Sequence, residues 1–168
     1  MLSRYYFILF VLLAFNCLAQ EKSNITEIKQ KLSRDISDSL RISLWYDLTS
    51  HFYNIDLDSA FYFNRLALDL SESKGHPKDI AKGKVNLGLM LIHQRKADSA
   101  EINLKEGLEI LSDYPDNMLM MFANANLGIL HHYDADYDLA IQYYLESAEY
   151  ASRIPDTPGI SRAYYNVG

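Results

Sequence analysis

Apolar positions recur at mixed steps of three and four along most of the chain, the spacing of one buried helix face. Val85, Leu87, Leu91 and Ile92 form one such run, and Leu104, Leu108 and Leu111 follow Ala100 in the next. Farther on come Leu127 and Leu130, then Ala140, Ile141, Tyr144 and Ala148. Polar punctuation separates the runs. Gly75-His76-Pro77 offers a glycine to end one helix and a proline to open the next. Tyr114-Pro115-Asp116 and Pro155-Asp156-Thr157-Pro158-Gly159 do the same. The pattern predicts a succession of helices. Asp58, Asp98 and Asp138 are placed to start three of them, since free N–H groups and the helix dipole favour a carboxylate there. Residues 24–33 predict a short capping helix, with Asn24 and Glu27 at the spacing of a capping box.

The chain repeats itself. Lys84-Val85-Asn86-Leu87-Gly88 is matched by Asn124-Ala125-Asn126-Leu127-Gly128 and by Tyr164-Tyr165-Asn166-Val167-Gly168. The glycines step by 40 residues, and so do Ala60, Ala100 and Ala140, each two residues after an aspartate. A fixed period of this size indicates a solenoid built from one supersecondary unit. Each unit reads as a helix hairpin. Gly88 or Gly128 on its first helix and Ala100 or Ala140 on its second let the two backbones approach closely, and Ala60 does so in the first unit.

These marks resemble the tetratricopeptide repeat (TPR) family. Gly88, Gly128 and Gly168 fit its small eighth position, and Ala60, Ala100 and Ala140 its alanine at position twenty. Tyr144, and more loosely Leu104, fit the large twenty-fourth position. Ala67, Gly107 and Ser147 fit the small twenty-seventh. The resemblance implies an all-α fold, a right-handed TPR-like superhelix of antiparallel helix hairpins (an α-solenoid). Repeats are expected at about 37–76, 77–115 and 116–156, with a truncated fourth at 157–168. The period of 40 exceeds the usual 34, which implies longer helices and links. The first repeat is degenerate: Thr49 takes the small position one residue out of register, Asn64 replaces the large one, and Trp45 and Phe52 supply bulk instead. Because the fourth repeat stops at Gly168, the segment is expected to be the N-terminal part of a longer protein.

The start of the chain has a different character. Met1 to Arg4 is short and basic, and Tyr5 to Phe15 is an unbroken apolar run. Cys17-Leu18-Ala19 then ends on a small residue, so residues 1–19 read as a signal peptide cleaved near Ala19, with a linker and cap over 20–36. The apolar run is short of the ~20 residues of a membrane span. Export to the periplasm or cell envelope is the expectation. Cys17 is the only cysteine, and Asn16 and Ala14 do not suit a lipidation signal. The mature chain would therefore have neither disulfides nor thiol chemistry.

Composition narrows the function. Asp and Glu total 22 against 16 Lys and Arg, a formal charge of −6, which does not suit nucleic-acid phosphates. Half the residues are apolar and Gly and Pro are few, so the composition suits a helical core. No phosphate loop, paired-histidine zinc helix or nucleophile elbow occurs; no enzyme activity and no cofactor are expected. His131 to Asp138 (HHYDADYD) has alternating aspartates, but a calcium loop starting at Asp134 would need Gly and Glu where Leu139 and Leu145 stand. It reads as an interhelical turn opened by Asp136 or Asp138, with no metal.

The resemblance places the first helix of each repeat on a concave groove. By its register, Lys82, Val85, Asn86, Leu89, Ile92 and His93 face inward in the second repeat, and Phe122, Ala125, Asn126, Ile129, His132 and Tyr133 in the third. Arg162, Tyr165 and Asn166 follow in the fourth. Asn86, Asn126 and Asn166 would form an amide ladder able to pair with a peptide backbone. Tyr143, Tyr144 and Phe61 read as packing. The expected partner is a protein or peptide, with no nucleic acid in this segment and membrane contact only through a downstream span. The sequence style is similar to exported TPR regions of Bacteroidetes-type sensor and regulatory proteins, which implies a sensory or scaffolding role ahead of a histidine kinase or transcriptional regulator. A free-standing envelope scaffold is the alternative, and an enzyme a distant one.

Overall fold

A computed structural model describes residues 25–154. A short helix α1 (25–32) precedes α2 (Asp38–Phe52), α3 (Leu57–Lys74), α4 (Pro77–His93), α5 (Ala97–Asp113), α6 (Asn117–Tyr133) and α7 (Tyr137–Ser152). The described residues contain no strand. Helices pair as hairpins α2–α3, α4–α5 and α6–α7, and the hairpins stack through α3–α4 and α5–α6. First helices α4 and α6 also touch directly, so they form the inner layer and the second helices the outer one. The predicted signal peptide, Asn24 and the fourth repeat lie outside the described residues.

Helix starts follow the polar punctuation. Asp56, not Asp58, caps α3, and Asp136, one of the two aspartates expected to open α7, caps that helix; they accept the N–H groups of Ser59 and Leu139. Asp58, Asp98 and Asp138 sit in the first turns, where they still meet the positive end of the dipole. Asp116 accepts from both Met118 and Leu119 at 3.0 Å. Pro77 opens α4, where its missing N–H costs nothing. Gly75 ends α3 in the left-handed region at φ 66°, with its own N–H and that of His76 turned back to Glu72 and Ser71. Arg95 and Ala135, one repeat apart, hold the same conformation at φ 57° and 58° despite their Cβ atoms.

The core depends on close backbone approach. A Cβ added at Gly88 would lie 2.6 Å from Leu104 Cγ and 3.1 Å from the Ala100 carbonyl. At Gly128 it would lie 2.5 Å from the Tyr144 ring. Ala60, Ala100 and Ala140 are buried, as are Ala67, Gly107 and Ser147. Ser147 donates its hydroxyl to the Met121 carbonyl at 2.9 Å, fastening α7 to α6. Val85, Leu91, Ala100, Leu104, Ala123, Leu127 and Leu130 form one cluster across α4, α5 and α6, with Phe61 of α3 and Tyr143 of α7 against it. This cluster reaches all three hairpins, while Ile42, Tyr46 and Ala67 form a second cluster in the first hairpin and Met121, Ala148 and Ala151 a third between α6 and α7.

The first hairpin packs differently. Leu48 stands one period before Gly88 and is fully buried, and Thr49 beside it donates its hydroxyl to the Trp45 carbonyl. Trp45 and Phe52 were expected to fill this hairpin, but both are only partly buried. The bulk comes from Ile42, Leu48 and above all Tyr46, which is 1 % exposed. The Tyr46 hydroxyl donates to the Asp79 carbonyl at 2.6 Å, joining α2 to α4, and burial pushes its pKa far up. Gly83 makes room: a Cβ there would lie 2.6 Å from the Tyr46 hydroxyl.

Candidate functional site

The inner face carries most of the predicted groove residues, in unequal states. Lys82 is half-buried with its ammonium 4.9 Å over the Tyr46 ring. Leu89 and Ile129 are half-buried, whereas Phe122, His93, His132 and Tyr133 are exposed, Tyr133 by 75 %. Val85, read as inward-facing, is instead buried in the core, its Cγ2 filling the space beside Gly107. Arg162, Tyr165 and Asn166 lie outside the described residues.

The two described asparagines of the ladder are not equivalent. Asn126 is 6 % exposed, and its Nδ2 donates at 2.8 Å to the Phe122 carbonyl one turn back on its own helix. That bond answers its amide locally. Asn86 Nδ2 is buried and has no hydrogen-bond partner. Asn86 lines a small cleft of about 170 Å³ with Thr49, Ser50, Tyr53, Leu89 and Met90, between α2 and α4. The same sequence position therefore serves packing in α6 and leaves an unanswered donor in α4.

A larger cleft of about 560 Å³ opens at the helix turns of the second and third hairpins. Its floor is Ile92, Ala97 and Leu130, and His93, Arg95, Tyr133 and Asp134 surround it. His93 meets Tyr53 edge to face at 5.0 Å. Tyr53, His93 and Tyr133 thus recur at the 40-residue step along the inner face. The sequence reading left Tyr53, Thr49, Ser50 and Arg95 out of the groove. The periodic aromatic at 53, 93 and 133 was the signal that could have added Tyr53. Arg95 lies in the turn, beyond the helix register used for the groove.

The HHYDADYD segment is dispersed. His131 stacks on Tyr143 at 5.4 Å and comes within 3.7 Å of Glu101, while His132 turns its ring edge to Tyr137 at 5.5 Å. Asp136 caps α7. Glu101 is held below the usual carboxylate range, first by the hydrogen bond from Lys105 at 2.6 Å.

By sequence, the chain matches no family model and no curated protein. Its fold is similar to that in the crystal structure of BtubC (BKLC) from P. vanneervenii, with a TM-score of 0.74 and 19 % identity. The match covers 90 % of this chain but 65 % of that one. The chain is an all-α solenoid. Such a fold presents a long inner surface formed jointly by several repeats, and the clefts at Asn86 and His93 lie on it. Among the described residues, no helix is long and apolar enough to cross a membrane.

Proposed function

We propose that this solenoid is a TPR module that holds an extended protein or peptide segment along its inner groove. It acts outside the cytoplasm, as the sensory or scaffolding part of a longer signalling protein. The observation that carries the binding reading is Asn86, whose buried amide donor has no partner at the edge of a cleft. A buried donor left unpaired costs ~1–3 kcal/mol, and a ligand carbonyl would recover that. A peptide backbone supplies carbonyls whatever its side chains. Tyr53, His93 and Tyr133 add rings along the same path, suited to a partner's apolar side chains. The TPR assignment is supported by the position-by-position marks, and export by the apolar run and Cys17-Leu18-Ala19 at the start of the chain.

The test begins with peptides selected from a random library on the purified protein. Asn86→Ala is expected to weaken a selected peptide by ~1–3 kcal/mol, about five- to 150-fold, without lowering the unfolding midpoint. Asn126→Ala is expected to act on stability instead, because its amide is buried and bonded within α6. The exposed Glu146→Ala on the outer layer leaves both unchanged. Normal binding by Asn86→Ala would refute the groove reading.

A further inference from the structure

The outer face holds a second unanswered amide. The position filled by Leu104 in the second hairpin and Tyr144 in the third is Asn64 in the first. Leu104 and Tyr144 close the space over Gly88 and Gly128. Asn64 is as buried as they are, at 1 % exposure, but it is polar. Its Nδ2 donates at 3.0 Å to the Gly83 carbonyl, joining α3 to α4. Its Oδ1 is buried and has no hydrogen-bond partner. Asn64 lines a cleft of about 530 Å³ whose apolar walls are Phe61, Leu68 and Leu87, with Asp58, Arg65 and Asp69 also around it. The repeat thus carries a polar residue at a packing position, beside open space, with a buried acceptor left unanswered at a cost in stability.

We propose that this outer cleft is a binding site, separate from the groove, for a tryptophan or tyrosine side chain presented by a partner chain. The walls suit the flat apolar body of such a ring, and Asn64 Oδ1 suits the indole N–H or phenol O–H at its edge. An ammonium group fits less well. It would lose its hydration at a buried neutral oxygen. The cleft opens to solvent beside Arg65, whose side chain is 83 % exposed, so a side chain still attached to its backbone can enter.

Indole and N-methylindole separate ring burial from donation, because they share the ring system and only indole has an N–H. Titrated into the protein and followed by NMR, indole is expected to bind on the order of tenfold more tightly. Its shift changes should centre on Phe61, Leu68 and Leu87. N-acetyl-tryptophanamide, which carries the side chain on a blocked backbone, should bind at the same residues. Asn64→Leu should abolish the preference for indole, because it removes the acceptor. The comparison on the unaltered protein stands even if that variant fails to fold. Absence of indole binding, equal binding of both indoles, or shifts centred on Leu89 and Met90 would each overturn the proposal. So would indole binding that excludes N-acetyl-tryptophanamide, because the site would then take a free small molecule and not a partner's side chain.

Discussion

Gly128→Leu is expected to lower the stability of the fold by about 3 kcal/mol or more, at the upper end of overpacking changes. The cause is local and severe. A Cβ alone would stand 2.5 Å from two atoms of the Tyr144 ring, closer than such contacts allow. The ring has little room to retreat. Tyr144 is 6 % exposed, and Ser147 ties the same stretch of α7 to the Met121 carbonyl. The substitution must therefore drive α6 and α7 apart and loosen the cluster that Leu127 and Leu130 share with Leu104. Denaturant unfolding measures the loss. An unchanged midpoint would mean that Tyr144 does not seat on Gly128.

Tyr46→Ala is expected to cost about 3–5 kcal/mol, the range for removing a buried aromatic side chain. Tyr46 is the largest fully buried side chain of the first hairpin. It packs with Ile42 and Ala67, lies under the Lys82 ammonium, and bonds the Asp79 carbonyl. Its loss opens a cavity where α2, α3 and α4 meet. Tyr46→Phe separates the two contributions. It keeps the ring and removes one hydrogen bond, so about 1 kcal/mol is expected. Equal midpoints for Tyr46→Phe and Tyr46→Ala would show that the hydroxyl, and not the ring, holds the joint.

The hairpin architecture was legible because small residues must recur wherever two helices cross closely. Gly88, Gly128, Ala60, Ala100 and Ala140 mark those crossings, and their common step revealed the period before any helix was placed. The first hairpin was harder to read. Leu48 stands where the other hairpins have glycine, so the close approach moved to Gly83, and Tyr46 became the anchor. That exchange depends on contacts between α2 and α4, which no periodicity within one helix reveals. Cap positions were ambiguous for a simpler reason: two aspartates stand two residues apart at Asp56 and Asp58, and again at Asp136 and Asp138. Either could open the helix, and backbone geometry chose the earlier one. The groove was legible as a surface but not as chemistry. Asn86 and Asn126 occupy the same repeat position. Only the three-dimensional surroundings decide that one amide turns back to Phe122 while the other stays unanswered. Asn64 was read as a departure from the repeat, and its unpaired oxygen emerged only with the fold.

The side-chain amide signals of Asn86 and Asn126 test peptide binding in the groove at its source. In protein labelled with nitrogen-15, each amide gives a resolvable pair of signals, and a selected peptide is added to saturation. The Asn86 pair is expected to shift strongly and to exchange more slowly with solvent, as its donor gains a carbonyl. The Asn126 pair, already bonded within α6, should move little. A bound peptide that leaves the Asn86 pair unmoved, with shifts confined to α3, α5 and α7, would contradict binding in the inner groove.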